Sequence, residues 1–292
     1  MAETAAERNE DPSTGGLLVN DAFVKRLGEV VALGFFAAIV GILGLIVFRE
    51  LDVSVFITIF PRFVEALMLV LQIVVVSSVA SVCLGALVGL GRISSSPITS
   101  TITGIYVEFF RGTPLLFQLI VIYYGVPGLW AIGTFPFSNF KVPAAIIGLT
   151  LNHGAYAGEA FRGGINAVTE GQLEAARSLG MSRVQAMREV VLPQAWRNAL
   201  PALGNDQIIL VKDTSLLTVI AVNEFIQLLR SVQSTELDVW TPAVWTCLFY
   251  LSITLSLSAL VSYLESRADW SDESDSRISD ALGMLDNRGV RR

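Results

Sequence analysis

Residues 174–193 read EAARSLGMSRVQAMREVVLP and lie in a polar stretch, 162–200, of a chain that otherwise consists largely of long apolar runs. The 292 residues are 53% hydrophobic and 16% charged, whereas charged residues make up about a quarter of an ordinary soluble domain. This composition excludes an ordinary soluble domain. It predicts an integral membrane protein in which the 162–200 stretch is a loop outside the bilayer.

Helix start and stop signals divide this loop into two parts. The segments TEGQ (169–172) and SRVQ (182–185) each place a Ser or Thr three residues before a Gln, the capping-box pattern of a helix start. Gly180 lies between them and is suited to the left-handed conformation that ends a helix. The apolar stripe of the second helix stops at Leu192-Pro193, because proline disrupts a helix interior. The pattern predicts two short helices joined by a tight glycine turn.

Six apolar runs approach the length of about 20 residues that crosses a hydrocarbon core. They cover residues 27–48, 63–90, 142–161, 203–222 and 240–263, with the third run centred on 115–130. The sequence therefore predicts an all-α integral membrane protein with about six transmembrane helices. Cys83 and Cys247 lie inside two of these runs and are predicted to be small buried side chains rather than a disulfide or a metal site.

The distribution of basic residues predicts the orientation in the membrane. With six spans, 15 of the 20 Lys and Arg residues fall on the side that holds both termini and the 162–200 loop. The positive-inside rule places that side in the cytoplasm. The tails, 1–26 and 265–292, carry more acidic than basic residues, which fits either a high-salt cytoplasm or ordinary solvated disorder.

The 174–193 string resembles the EAA signature of ABC importer permeases: Glu-Ala-Ala, three residues, Gly, nine residues, an aliphatic residue, one more residue, then Leu-Pro. The matching positions are Glu174, Ala175, Ala176, Gly180, Val190, Leu192 and Pro193. Three further stretches are similar to the polar amino acid branch of that family. They read YAGEAFRGGINAVTEGQLEAA (156–176), EFFRGTPLLFQ (108–118) and VKDTSLLTVI (211–220).

The resemblance implies an architecture. It consists of a five-helix permease domain over 63–264 that includes the EAA loop (162–200), an extra transmembrane helix over 27–48, and cytoplasmic tails over 1–26 and 265–292. In that family the EAA loop docks on a cytoplasmic ABC ATPase subunit, so its coupling residues here are Glu174, Ala175, Ala176, Gly180, Leu192 and Pro193.

The resemblance also implies the partners. These are the ATPase subunit, a second permease copy or a homologous permease, an extracytoplasmic substrate-binding protein, membrane lipid and an amino acid substrate. The chain contains no G-x-x-x-x-G-K-[ST] phosphate loop, so ATP and Mg are expected on the ATPase subunit, with no cofactor, metal or catalytic residue in this chain. The basic residues are scattered along one side, which is not the dense patch of a nucleic-acid-binding protein.

Three other interpretations remain open from the residues alone. The amphipathic loop could lie on lipid headgroups without docking to a protein. The chain could be a secondary transporter driven by an ion gradient, which an internal repeat would favour. It could also be a membrane anchor or signalling subunit that does not transport.

Ionisable residues at bilayer depth are costly and are therefore candidates for the translocation pathway or for gating. The candidates are Glu108, Arg111, Glu159, Lys212 and Asp213. The three-residue spacing of Glu159 and Arg162 allows a pair on one helix face, either structural or involved in gating. Arg111 precedes Thr113 and Pro114, which form the predicted cap and first residue of a helix start. This start is either a re-entry corner at the cytoplasmic face or a break beside the pathway that exposes N–H groups to a substrate carboxylate.

Two further polar positions allow more than one interpretation. Lys212 and Asp213 are adjacent and point to different sides of their helix, so they either line the pathway or lie at the interface with Lys212 snorkelling. His153, the only histidine, is either a satisfied core imidazole or part of the pathway lining.

Overall fold

The structure, a computed structural model, describes the backbone of residues 21–289 and the side chains of residues 23–267. All regular secondary structure in the described part is helical. The helices are α1 (Asp21–Glu50), α2 (Val53–Arg92), α3 (Pro97–Gly112), α4 (Leu115–Ile120), α5 (Lys141–Asn166), α6 (Glu170–Ser178), α7 (Arg183–Ala186), α8 (Leu192–Asp213), α9 (Phe225–Glu236) and α10 (Trp240–Gly289). A π turn (Val121–Gly125) follows α4, another (Met187–Val191) joins α7 to α8, and a 3₁₀ helix (Thr214–Ile220) follows α8.

The chain divides into two compact units, 1–52 and 53–292. In the first unit, α1 begins six residues before the predicted span 27–48 and ends two residues after it, and its Val, Leu and Phe side chains are exposed. Such a helix is suited to lipid. Most of the predicted tail 1–26 lies outside the described residues. In the second unit, the backbone of α10 is helical through Gly289, a range that includes most of the predicted tail 265–292.

Three helices in the described part are long and apolar enough to cross a membrane. They cover Phe23–Glu50, Val53–Arg92 and Trp240–Arg267. A fourth candidate is the bent pair Pro97–Gly112 and Leu115–Leu129, whose halves meet at 103°. Helices α5 and α8 have 26 and 22 residues but carry more polar side chains. The count of six spans therefore stays a prediction.

Helices α2, α5 and α8 form the centre of the second unit. Helices α2 and α5 approach so closely that a Cβ atom on Gly85 would collide with Ala157, the close contact that small residues permit between membrane helices. At one end of α2, the aromatic rings of Phe63, Phe225 and Phe249 stack on one another. This core holds α5 and α8 side by side, and their facing residues form the polar site described below.

The prediction of buried cysteines was wrong for the single chain. Cys83 and Cys247 are both free and exposed. They lie on faces of α2 and α10 that no other part of the described chain covers. The prediction failed because an apolar run in the sequence looks the same whether its side chains face lipid or the protein core.

The two ends of the second unit differ. At one end, Nζ of Lys141, the first residue of α5, donates a hydrogen bond to the carbonyl oxygen of Ala221, 3.1 Å away. Helix α9 follows this contact in the chain. At the other end, α5 leads directly into α6 and the EAA loop. The EAA loop and α9 therefore lie toward opposite ends of α5.

Candidate functional site

A break between α3 and α4 opens the polar site. Thr113 and Pro114 separate the two helices, and the side-chain amide of Gln118 folds back across the break. Its Nε2 donates to the carbonyl oxygens of Phe110 at 2.9 Å and Thr113 at 3.1 Å. Asn152 of α5 also donates to the Phe110 carbonyl, at 3.1 Å. These bonds satisfy carbonyls that the end of α3 leaves without a helical partner.

The predicted role of Thr113 as the cap of α4 was wrong. Its hydroxyl donates to the carbonyl of Phe109 at 2.8 Å, and α4 begins one residue later than predicted, after Pro114. Thr113 ends α3 because a hydroxyl can bond a carbonyl of the preceding turn as readily as an amide of the next one.

A cavity of about 420 Å³ lies beside this break. Its walls come from the end of α3, the start of α4, the middle of α5 and the last two turns of α8 with the following 3₁₀ helix. It is lined by Arg111, Gly112, Thr113, Pro114, Leu115, Asn152, His153, Tyr156, Asp206, Ile209, Asp213 and Leu216. The cavity therefore combines a guanidinium, an imidazole and two carboxylates with hydroxyl, amide and apolar groups.

His153 joins α5 to α8 at the wall of the cavity. Its Nδ1 lies 2.9 Å from Oδ1 of Asp206, in a hydrogen bond that is buried from solvent. Its Nε2 lies 3.3 Å from Oδ2 of Asp213 and makes no hydrogen bond. Asp206 and Asp213 are seven residues apart, about two helical turns, so both carboxylates face α5. His153 is thus both a bonded, buried imidazole and part of the cavity lining.

Arg111, in the last turn of α3, connects the cavity to a cluster of charged side chains. Its guanidinium carbon is 5.2 Å from the ring centroid of Tyr156, and Nη1 is 3.8 Å from Oε2 of Glu159. Glu159 also pairs with Arg162, at 2.7 Å, and with Arg92 of α2, at 3.3 Å. The spacing of Glu159 and Arg162 predicted their pair, whereas Arg92 comes from a distant part of the chain.

The structure brings only some of the candidate residues together. Arg111 and Asp213 line the cavity, and Glu159 contacts Arg111 from outside it. Glu108 and Lys212 are exposed and do not line the cavity. Sequence reasoning missed Asp206, although an acidic residue within the predicted span 203–222 was a signal for a polar site.

The EAA loop contains the predicted glycine turn. Gly180 has a φ of +86°, and the N–H of Met181 bonds the carbonyl of Ala176 while that of Gly180 bonds Arg177. This is the Schellman pattern that ends a helix. A Cβ atom at Gly180 would meet no other atoms. An L-amino acid would nevertheless be in the left-handed backbone conformation there, at a cost of about 1–2 kcal/mol.

Two details of the predicted loop need correction. The capping box at Ser182 and Gln185 is present, but Thr169 makes no side-chain bond at the start of α6. The second helix also does not stop at Leu192-Pro193. It passes through a π turn, and Pro193 stands in the first turn of α8, where its missing N–H removes no helical bond.

The loop presents apolar side chains on its outside. Leu179 is 82% exposed and Val184 is 76% exposed. Glu174, Ala175 and Gly180 are also exposed, whereas Ala176 is buried against the following segment. A surface of this kind, next to small residues, allows close approach by another molecule.

A polar cavity between membrane-length helices and an exposed helical loop at one end of α5 are features of a membrane transport component. Residues 81–270 match the family described as the binding-protein-dependent transport system inner membrane component. The chain belongs to this family, the permease subunits of ABC importers, in which a separate subunit carries the ATPase.

Bacterial relatives are similar to the chain along nearly their whole length. The chain is 34% identical to the arginine transport system permease protein ArtQ of Bacillus subtilis, over 76% of this chain and 100% of that protein. It is 33% identical to the glutamine transport system permease protein GlnP of Escherichia coli K12, over 71% and 93%. A solved structure entitled "Crystal structure of an amino acid ABC transporter with histidines" is 33% identical, has a TM-score of 0.68, and matches 75% of this chain and 100% of its own.

Proposed function

We propose that this chain forms the translocation pathway of an ATP-driven importer for polar amino acids, with the cavity beside the α3–α4 break as its substrate site. The observation that carries the proposal is the presence of fixed charges of both signs on one cavity of about 420 Å³. That volume falls in the range of about 300–1,000 Å³ that holds small molecules. The names of ArtQ and GlnP, which concern arginine and glutamine, support an amino acid as the substrate class.

Each charged group of a free amino acid has a partner of opposite sign in the cavity. Arg111 is suited to the carboxylate, because a guanidinium can form two parallel bonds to it. Asp213, whose side chain is 29% exposed, is suited to the ammonium group. Glu159, which also pairs with Arg92 and Arg162, contacts the guanidinium of Arg111 and belongs to gating in this proposal.

The EAA loop is proposed to transmit the ATPase cycle to this site. Helix α6, the Gly180 turn and the exposed Leu179 dock on a cytoplasmic ABC ATPase subunit. The loop is joined to α5 on one side and, through α7 and the π turn, to α8 on the other. These two helices carry His153, Asp206 and Asp213, so movement of the loop reaches the substrate site through rigid helices.

The assembly and its orientation are also proposals. The permease pairs with a second copy or a homologous permease in a prokaryotic cell membrane, and both termini and the EAA loop lie in the cytoplasm. Substrate arrives from an extracytoplasmic binding protein at the opposite end of α5. The excess of Lys and Arg on the side of the EAA loop supports this orientation.

Uptake by reconstituted transporter tests the proposal. The permease, its ATPase subunit and its binding protein are placed in lipid vesicles, and uptake of radiolabelled arginine, glutamine, histidine and glutamate is measured with and without ATP. Asp213→Asn and Arg111→Gln are each expected to reduce uptake at least about tenfold, since a hydrogen bond to a charged group contributes about 1.5–3 kcal/mol. Lys212→Gln and Glu108→Gln are the matched controls, because both side chains are exposed and lie outside the cavity.

Two results would contradict the proposal. Uptake at full rate without the ATPase subunit would indicate a secondary transporter. ATP-dependent uptake that is lowered equally by the Asp213 and Lys212 substitutions would remove the cavity as the substrate site.

A further inference from the structure

His153 carries a polar atom that its surroundings leave without a hydrogen bond. The residue is only 1% exposed, and Nδ1 is well bonded to Asp206. Nε2, on the other side of the ring, is directed at Asp213 but makes no hydrogen bond. A buried N–H in poor geometry costs free energy that a better partner would recover.

The two carboxylates that face His153 differ in access. The Asp206 side chain is 10% exposed, whereas that of Asp213 is 29% exposed and borders the open cavity. Nδ1 of His153 faces Asp206, and Nε2 faces Asp213. An imidazolium ring, which is protonated at both nitrogens, therefore directs one N–H toward each carboxylate. Among the residues that line the cavity, Arg111 is the one other charged group, and it is directed to Tyr156 and Glu159.

We propose that His153 is an internal placeholder for the positively charged group of the substrate. In the empty permease its Nε2 N–H occupies Asp213, and a substrate ammonium or guanidinium group displaces it there. The Nδ1 bond to Asp206 is kept in both states. Asp206 therefore remains the counter-ion of His153, and Asp213 becomes the counter-ion of the incoming cation. This inference rests on the proposed function and adds a residue that determines which ligands the site accepts.

Displacement also has a mechanical consequence. In the empty state His153 contacts α8 on both sides of its ring, through a hydrogen bond to Asp206 and through a weaker charge contact of 3.3 Å with Asp213. A bound cation replaces His153 at Asp213, whereas the hydrogen bond between His153 and Asp206 remains. The last turn of α8, with the 3₁₀ helix that follows it, then becomes free to shift relative to α5 when substrate is bound.

Equilibrium binding to the whole transporter in lipid nanodiscs, without nucleotide, tests the placeholder. The ligands are L-arginine, L-glutamine and L-glutamate, which share the α-ammonium group and differ in side-chain charge. His153→Gln removes the internal cation and is expected to bind ligand about tenfold more tightly. This figure assumes that His153 occupies Asp213 in about nine-tenths of the empty wild-type molecules, a state that the variant lacks. His153→Lys supplies a tethered cation and is expected to bind at least about tenfold more weakly.

A thermal measurement separates this role from a purely structural one. Without ligand, His153→Gln should melt at a lower temperature than the wild type, because two carboxylates then lack their shared cation. With saturating ligand, its rise in melting temperature should exceed that of the wild type. A structural role predicts the lower melting temperature without the larger ligand-induced rise.

The outcomes are distinguishable. Tighter binding of arginine alone assigns Asp213 to a side-chain cation, and tighter binding of all three ligands assigns it to the α-ammonium group. Binding by His153→Gln that is equal to or weaker than wild type overturns the placeholder, as does wild-type affinity in His153→Lys. If the wild type binds none of the three amino acids, the proposed function is wrong, and the placeholder role of His153 is wrong as well.

Discussion

Arg162 Nη2 lies 2.7 Å from Oε2 of Glu159, one turn earlier on α5, at the point where α5 leaves the cavity and approaches the EAA loop. The same carboxylate accepts a hydrogen bond from Nε of Arg92 at 3.3 Å, so one acidic side chain joins α5 to α2. Because Arg111 is also within 3.8 Å, Glu159 is the shared counter-ion of three guanidinium groups.

Glu159→Gln should therefore destabilise the permease. Three arginines would converge on a neutral amide, and the loss is expected to be about 1–3 kcal/mol, between the values for exposed and buried ion pairs. The apparent melting temperature in detergent measures it. Glu108→Gln is the matched control, since Glu108 is exposed and forms no ion pair with any residue the structure describes. Equal melting temperatures for the two variants would show that the cluster contributes nothing to stability.

Gly180→Val should uncouple the permease from its ATPase subunit while leaving it folded in the membrane. A β-branched residue is strongly disfavoured at a φ of +86°, so the turn after α6 would rearrange. The measurements are recovery of the ATPase subunit on co-purification and ATP-dependent uptake. Gly171→Val is the control, because Gly171 is exposed in helical conformation near the start of α6 and a Cβ there meets no atoms. Unchanged recovery and uptake in Gly180→Val would refute the docking role of this turn.

Gly164→Ala should lower stability, whereas Gly163→Ala should not. A Cβ on Gly164 would collide with the carbonyl oxygen of Ala195 and press on Ala199, which forces α5 and α8 apart at a cost of about 1–3 kcal/mol. A Cβ on Gly163 meets nothing within 4 Å, and alanine favours the helix by about 1 kcal/mol. Comparison of the two apparent melting temperatures tests the prediction, and the opposite order would contradict the close contact of α5 with α8.

Stability should also depend on the protonation of Glu224. This residue caps α9 by accepting the N–H groups of Ile226 at 2.7 Å and Gln227 at 2.8 Å, and the hydroxyl of Tyr250 donates to it at 3.1 Å. It lies between the predicted spans 203–222 and 240–263. Burial raises the pKa of its carboxyl from 4.5 to about 7, against the opposing effect of the backbone N–H bonds.

The sign of the pH effect follows from this shift. Between pH 4.5 and 7 the folded chain binds a proton at Glu224 that the unfolded chain has lost, so stability decreases as the pH rises through this window. Glu224→Gln removes this titration. Its apparent melting temperature should fall less between pH 5 and pH 8 than that of the wild type. An identical pH dependence in the two proteins would contradict the raised pKa.

The local features of the loop were predictable because they depend on neighbouring residues. Gly180, Ser182 and Gln185 determine a turn and a capping box through contacts of three to five positions along the chain. The same reasoning failed at Thr169 and Thr113. A threonine hydroxyl has several backbone partners within reach, and the packing around it decides which one it takes.

By itself, the sequence determined the all-helical membrane class, the glycine turn at Gly180 and the family, since apolar length and motif spacing are properties of consecutive residues. Only the tertiary structure decided that Asp206 and Asp213 share His153, that Arg92 joins Glu159, and that the cavity lies on the side of Asp213 and not of Lys212. The physical reason is that these contacts depend on how α2, α5 and α8 are packed and rotated against one another. No spacing within a single helix specifies that packing.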